Sequence, residues 1–300
     1  MNRLKTIRKQ DLDYLSRHYL KYEPYSDFNV VSMWGYMIPG ARYATTGDTV
    51  LYEMTDYTKH TTYLTIFGDK DTRDTIKQLA TRTKSSQIIF EGVPESTCKH
   101  LLNWDALVNI EADTDNHDYI FAVDDIANMR SVGLHSKKKS INKLLRKHPK
   151  LHIETIDLND PKKRRQIYEL FRRWIQQSGS TDWSTEFRAL KREIKLYDYE
   201  ITAIGAYDDN RLVGFTINEI EPNGYYQGHF GKADYRYPGL GVLLEVETAR
   251  IVQKIYGSKF MNLQQDLGIE GIRYYKQTLG PCGQLKKYRV VIDREQALTA

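Results

Sequence analysis

The stretch FMNLQQDLGIEGIRYYKQTLGP, Phe260 to Pro281, gathers amides, two carboxylates, an arginine, a lysine and two tyrosines around Gly268 and Gly271. On a helix beginning near Ile269, a step of about 100° per residue sets Glu270, Arg273, Tyr274 and Gln277 on one side and Ile272, Tyr275 and Leu279 on the other. The second set is expected in the core. The first is expected beside the end of the preceding strand, where Asn262, Gln264 and Asp266 project into the same crevice. A base, a cation and a phenol are what attack on an activated acyl carbon needs, since a tetrahedral oxyanion forms and a leaving group must be protonated. Asp266 or Glu247 is assigned as base or amine-binding carboxylate, Arg273 and Lys232 as charge partners, and Tyr274 as the proton source. The same residues also suit a plainer arrangement, with Asp266 capping the helix and Glu270 pairing with Arg273 at the surface.

A second constellation lies upstream. RYPGLG, Arg236 to Gly241, stands between a strand-like run and a long helical one. Gly239 and Gly241 let the backbone approach a ligand, the helix presents unpaired N–H groups, and Arg236 adds charge, a set that suits a pyrophosphate. A tight turn without a ligand uses glycine in the same way. In the helix that follows, Leu240, Leu243, Leu244, Ile251 and Ile255 form one apolar stripe, and Glu247 falls within it. A carboxylate there is paired, catalytic or snorkelling to water. The nearby GHFGKAD lacks the glycine spacing and the Ser/Thr of a nucleotide-binding P-loop.

These groups need elements to hold them. The first third reads as a helix near 9–22, strands through VLYEMTDYTKHTTYLTIFG, a helix near 71–83, the strand QIIFEGV, a short helix from Pro94 and the strand ALVNIEA. DTDNHD at 113–118 is a polar break and marks the boundary. A basic helix, the strand LHIETI, helices near 161–178 and 184–196, and three strand-like runs follow. The long helix from Gly239 to Tyr256, the strand SKFMNL, the helix with the reactive face and a last strand QLKKYRVVI complete the chain. The domains are expected over 1–115 and 116–300.

Composition narrows the partners. The 300 residues are 40% hydrophobic and 28% charged, with a formal net charge of +5. No window reads as a signal peptide or membrane span, and two distant cysteines suit a reducing compartment, so a cytoplasmic protein is expected. Residues 137–150, KKKSINKLLRKHPK, hold seven Lys/Arg and no acid. They suit an anionic partner, whether tRNA or an acidic lipid surface met peripherally, as well as a solvated helix face around Ile141, Leu144 and Leu145. The eight histidines form no metal spacing and no serine-nucleophile elbow occurs. No metal is inferred.

The strand order and glycine loop resemble the GNAT acyltransferase superfamily, in which such a loop holds the pyrophosphate of coenzyme A. NLQQDLGIEGIRYYK, LKKYRV, DYIF, GLHSKKKSINKL and HFGKAD together resemble the phosphatidylglycerol lysyltransferase C-terminal domain family, as does YSDFNVVSMWGY in the first third. The resemblance implies an α/β (α+β) protein of two tandem GNAT-like domains, each a mixed, mostly antiparallel sheet flanked by helices. It also implies transfer of an amino acid from its tRNA ester to an amine or hydroxyl acceptor. Asn262, Gln264, Asp266, Gly268, Glu270, Gly271, Arg273, Lys276 and Lys287 match the C-terminal motif of that family. His135, Lys137, Ile141 and Asn142 match its basic helix, and Lys232 and Ala233 its strand block. The sequence departs from the pattern at Lys138 and Lys139, where Arg-Asn is usual, at Gly231, which replaces an acidic residue, and at Glu247, where asparagine is common. Three readings stand: an aminoacyl-tRNA-dependent transferase, an acyl-CoA-dependent N-acyltransferase reached through Arg236, Gly239 and Gly241, and a catalytically silent module that binds RNA or another polyanion. Neither enzymatic reading requires a resident cofactor; aminoacyl-tRNA or acyl-CoA is the donor substrate.

Overall fold

A computed structural model describes residues 3–37, 39–56, 61–179, 183–196 and 199–300. In chain order, the first part holds β1 (Lys5–Thr6), α1 (Leu12–Tyr19), α2 (Val30–Tyr36), β2 (Arg42–Thr46), β3 (Thr49–Thr55), β4 (Thr62–Phe67), α3 (Thr72–Ala80), β5 (Gln87–Pro94), α4 (Glu95–Lys99) and β6 (Leu107–Ala112). Then come β7 (Asp118–Ala122), α5 (Val123–Ala127), α6 (Val132–Lys147), β8 (His152–Ile156), α7 (Pro161–Ser178) and α8 (Trp183–Glu193). The hairpin strands β9 (Ile201–Asp208), β10 (Arg211–Ile220) and β11 (Tyr225–Ala233) precede α9 (Leu240–Tyr256), β12 (Phe260–Asn262) and α10 (Glu270–Leu279). The chain closes with β13 (Gly283–Leu285), β14 (Lys287–Asp293) and α11 (Arg294–Thr299).

Two seven-stranded sheets result, ordered β1-β2-β3-β4-β5-β14-β6 and β13-β7-β12-β11-β10-β9-β8. Both are mixed: β4 runs parallel to β5 in the first and β11 parallel to β12 in the second, while their other described pairings are antiparallel. With helices flanking each sheet, this is the two-domain GNAT-like α/β architecture implied by the resemblance.

The chain divides into two compact units, Met1–Asp118 with Leu285–Ala300, and Tyr119–Gln284. The second unit therefore does not run on to residue 300, as a single boundary near 115 would have it. Its last expected strand, QLKKYRVVI, splits, and β14 pairs with β5 and β6 of the first unit. An apolar strand advertises burial but not the sheet that will accept it. In the first unit, Val290 and Ile292 join a core with Leu51, Ile66, Phe90 and Leu101.

Lys287 is bound up with that return. Its side chain is fully buried; Nζ donates to Asp118 Oδ1 at 2.8 Å and also pairs with Asp27. The Ser26 amide and hydroxyl donate to the two Asp118 oxygens at 2.7 and 2.6 Å. Burial works against the lysine's charge, but Asp118 and Asp27 outweigh it and hold its pKa above the ordinary value. Lys287 is thus a buried charge compensated inside the first unit.

In the second unit, α6 begins at Ser131, whose hydroxyl accepts from the Leu134 amide at 3.2 Å, and α7 begins at Asp160 with Pro161 in its first turn. Helix α9 lies on β10, burying Leu240, Leu243, Leu244, Val246, Ala249 and Val252 in a core shared with Phe121, Val213, Tyr226 and Met261. Its cap, Gly239, has φ +95°, and a Cβ there would lie 2.7 Å from Ser140 Oγ of α6. Gly239 is needed for both backbone conformation and close approach, whatever else the loop does.

Candidate active site

Strands β11 and β12 pair over only three residues, ending at Gln227 opposite Asn262, while β11 continues to Ala233. Beyond that point a cavity of about 370 Å³ is lined by Thr216 of β10, Gly231, Lys232 and Ala233 of β11, the loop residues Asp234, Tyr235, Tyr237, Pro238 and Gly239 (but not Arg236), Gly241, Leu244 and Glu245 of α9, Trp174 of α7 and Tyr275 of α10. The glycine loop thus forms part of the cavity wall, as its place between strand and helix suggested.

Glu245 is the ionisable group that distinguishes this cavity. Burial raises its carboxyl to about 7, the opposing charge of Lys276 offsetting only part of the effect. A Cβ on Gly231 would stand 3.5 Å from Glu245 Oε1, so the glycine leaves room beside the carboxylate. A carboxylate with this proton affinity in a cavity can exchange a proton with a bound nucleophile near neutral pH. Four residues after Gly241, Glu245 shares the helix face that follows the loop. That spacing was the available signal; the apolar stripe drew attention to Glu247 instead.

Glu247 sits partly exposed on α9, and Arg250 Nη1 donates to it at 2.6 Å. It is a surface ion pair outside the cavity. Tyr274 is likewise displaced, with 69% of its surface exposed. The adjacent Tyr275 lines the cavity, and burial, followed by the charge of Glu245, keeps its phenol protonated well above the ordinary range. A phenol held neutral next to a carboxylate can donate a hydrogen bond to a departing alkoxide oxygen and pass it a proton as negative charge builds there.

Asp266 and Arg273 do meet, but as a closed pair. Arg273 Nε and Nη2 donate to the two Asp266 oxygens at 2.8 and 2.9 Å, the Tyr119 hydroxyl donates at 2.7 Å and the Gly268 amide at 2.9 Å. Burial raises the Asp266 pKa, yet these donors outweigh it and hold the carboxyl below the ordinary range. A fully buried carboxylate with four hydrogen bonds is a poor base. Asp266 does not cap α10 either, whose N-cap is Ile269 without a side-chain bond; it holds the Arg273 fork and the turn at Gly268, so the Glu270–Arg273 surface pair does not form. Lys276 is also committed: its ammonium donates to the carbonyls of Leu263, Gln264 and Gln265 at 2.6, 3.0 and 2.6 Å. Asn262 Oδ1 accepts from the Gln264 amide at 2.6 Å, and Gln264 Nε2 reaches the Gly228 carbonyl at 3.1 Å. These residues knit the end of β12 to α10 and β11. Glu270 is exposed on the first turn of α10, away from the crevice expected for it. Ile272, expected in the core, is 37% exposed.

Lys232 lies at the wall. Its Nζ is 2.5 Å from Glu186 Oε1 and 3.7 Å from the centre of the Trp174 ring, so a carboxylate and a π face hold the charge in place. Arg236 is clamped to Asp234 through Nε at 2.9 Å and Nη2 at 2.6 Å, with 57% of its side chain exposed. The basic helix α6 buries Leu134, Ile141 and Leu144 and exposes Lys138, Lys139, Lys143, Arg146 and Lys147; His135 and Asn142 are also exposed and Lys137 is half-buried. None of these lines the cavity. The described residues contain no group of three or more His, Cys, Asp or Glu that could hold a metal ion.

The sequence matches the profile of the phosphatidylglycerol lysyltransferase C-terminal family over residues 36–291. The chain belongs to this family. No curated protein matches the sequence. Among solved structures, this family member is similar to a conserved protein of unknown function from Bacteroides thetaiotaomicron VPI-5482, with a TM-score of 0.81, 19% identity, and coverage of 97% of this chain and 100% of that one. L-PGS from Bacillus licheniformis aligns at a TM-score of 0.62 with 11% identity over 99% of both chains. FemX aligns at 0.57 with 9% identity over 98% of both. At these identities the structural likenesses establish the fold. No helix among the described residues is long and apolar enough to cross a membrane.

Proposed function

We propose that this lysyltransferase-family protein is an acyl-group transferase that moves an aminoacyl group from aminoacyl-tRNA to an amine or hydroxyl acceptor in the cavity of the second unit. The observation that carries the reading is Glu245, a cavity carboxylate lifted to about 7, with the neutral phenol of Tyr275 on the same cavity wall. Glu245 accepts a proton from the attacking amine or hydroxyl as the new bond to the acyl carbon forms. The tetrahedral oxyanion develops beside a wall carrying the ammonium of Lys232. As the bond to the donor oxygen breaks, Tyr275 supplies the proton that the leaving group needs, and proton exchange with Glu245 or solvent restores both groups. Asp266, Arg273, Lys276, Asn262 and Gln264 hold the loop and helix that frame this chemistry.

Family membership supports aminoacyl transfer, and the exposed lysines and arginines of α6 offer a face for a tRNA acceptor stem or, peripherally, an anionic lipid surface. The reading places the protein in the cytoplasm, where free thiols such as buried Cys98 and exposed Cys282 remain reduced. A second reading, acyl-CoA-dependent N-acyl transfer, is favoured by the position of Gly239 and Gly241 in the cavity wall at the start of α9. Incubation with labelled aminoacyl-tRNA or labelled acetyl-CoA and a mixture of amine acceptors separates the two. Acceptor-dependent loss of label from the tRNA supports the first reading; loss from acetyl-CoA alone replaces it with the second. Turnover of neither donor removes the enzymatic assignment and leaves a polyanion-binding module.

A further inference from the structure

The charges on the cavity wall are already committed. Apart from tyrosines, the titratable side chains that line the cavity among the described residues are Lys232, Asp234 and Glu245. Lys232 keeps its charge beside Glu186 and the Trp174 ring. Asp234 is fully buried, and the Arg236 fork holds its carboxyl well below the usual carboxylate range against the opposing effect of burial. Gln177 Nε2 also donates to Asp234 Oδ1 at 3.0 Å, and Arg211 Nη2 lies 3.8 Å from Oδ2. Glu245 holds its proton up to about 7 and has Lys276 as its opposing charge. A cation entering the cavity therefore meets the ammonium of Lys232 and, among the described lining residues, no carboxylate without a cation of its own. Drawing an ammonium out of water into that setting is costly, because no opposite charge replaces the lost hydration. An uncharged side chain avoids that cost.

Gly231 keeps the wall that way. It sits on β11 directly opposite Thr216 of β10, and both residues line the cavity. The Thr216 hydroxyl is taken up inside the fold, sharing a hydrogen bond with Thr248 Oγ1 at 2.9 Å and accepting from Asn218 Nδ2 at 3.0 Å. A Cβ at Gly231 would meet Glu245 Oε1 at 3.5 Å, an ordinary contact, so a side chain there is accommodated and faces Glu245. An aspartate at this position would set a second carboxylate beside the first. Such a pair shares one proton and carries the negative charge that a cation needs. Glycine withholds it and leaves a small recess between Thr216 and Glu245.

We infer that the cavity selects aminoacyl groups whose side chain is uncharged, and that Gly231 determines this selection by leaving a neutral recess opposite Glu245. This deepens the acyl-transfer reading, on which it rests, by naming the class of group transferred. Lysyl and arginyl groups are thereby disfavoured, since their side-chain cations would face Lys232 without a counter-charge.

The test is calorimetric titration with non-hydrolysable 3′-aminoacylamino-adenosines carrying alanyl, seryl, leucyl or lysyl groups, using wild type, Gly231→Asp and Gly231→Asn at about pH 6, where Glu245 keeps its proton. The α-amine is common to the four probes and cancels in the comparison. The inference expects the best uncharged probe to bind wild type at least about tenfold more tightly than the lysyl probe. Gly231→Asp should narrow or invert that ratio by strengthening lysyl binding, whereas Gly231→Asn, similar in size and uncharged, should leave lysyl binding no stronger than in wild type. Lysyl binding equal to that of the best uncharged probe, a ratio that Gly231→Asp leaves unchanged, or no binding of any probe at near-millimolar concentration overturns it. If the variants do not fold, the wild-type ratio decides by the same tenfold criterion. Selective binding by a protein that takes no acyl group from any aminoacyl-tRNA would sink the transfer reading and leave the selectivity standing. Transfer of lysyl as fast as alanyl would do the reverse.

Discussion

Glu245→Gln should make the protein more stable at high pH. Lifting a glutamate from its ordinary 4.5 to about 7, at about 1.4 kcal/mol per pH unit, corresponds to about 3 kcal/mol. Part of Glu245 touches solvent, so the figure is a ceiling. Below about pH 4.5, folded and unfolded chains both hold the proton, and the residue costs nothing. Between about 4.5 and 7 the unfolded chain has released its proton while the fold retains it, so stability falls as pH rises; above about 7 the loss is complete. Glutamine stays neutral throughout. Urea unfolding followed by tryptophan emission should therefore show wild type and Glu245→Gln nearly equal at pH 4, with the variant gaining up to about 3 kcal/mol by pH 8. A variant equal to or less stable than wild type at pH 8 would refute the raised carboxyl, and with it the argument for Glu245 as a base.

Tyr275→Phe should reduce turnover by about tenfold or more with little change in acceptor KM, whereas Tyr274→Phe should leave steady-state kinetics untouched. Asp266→Ala should destabilise the second unit by about 3–5 kcal/mol in denaturant titration, because Arg273 and Tyr119 lose their shared acceptor. Since the fold depresses the Asp266 pKa, this contribution is present above the ordinary carboxylate value and fades as pH falls through the depressed one; an acid titration of wild-type stability against Asp266→Asn reads it. Lys287→Met should cost about 3–5 kcal/mol in the first unit, leaving Asp118 and Asp27 without their cation, and hydrogen exchange in β5 and β14 should report the loss.

Most elements were legible because their patterns are local. The 161–178 helix carries its own Asp-Pro start, and Gly179, at φ +65°, supplies its end. The glycine loop could be placed because a strand and a helix bracket it. The site was harder, since two helical steps, about 200°, separate Glu245 from Glu247 in orientation and one residue separates Tyr275 from Tyr274. Sequence spacing defines those faces only to within the phase of the helix, and a partly polar helix does not fix that phase. Asp266 looked reactive because the donor that helps close its shell, Tyr119, is remote in sequence, and Lys276 because its three acceptors are backbone carbonyls, which no side-chain pattern reveals. The destination of β14 was invisible for a different reason. Its Val-Val-Ile run suits either sheet, and the buried partners of Lys287, Asp27 and Asp118, come from distant parts of the chain.

The central claim is that Glu245 accepts a proton during acyl transfer. Single-turnover transfer of a labelled aminoacyl group from its tRNA to an amine acceptor, with wild type, Glu245→Gln and Glu247→Gln side by side, tests it most directly. The account expects Glu245→Gln to lose about 10²–10⁴ in rate while remaining folded, and Glu247→Gln to match wild type. Full activity in Glu245→Gln, or loss confined to Glu247→Gln, would contradict it.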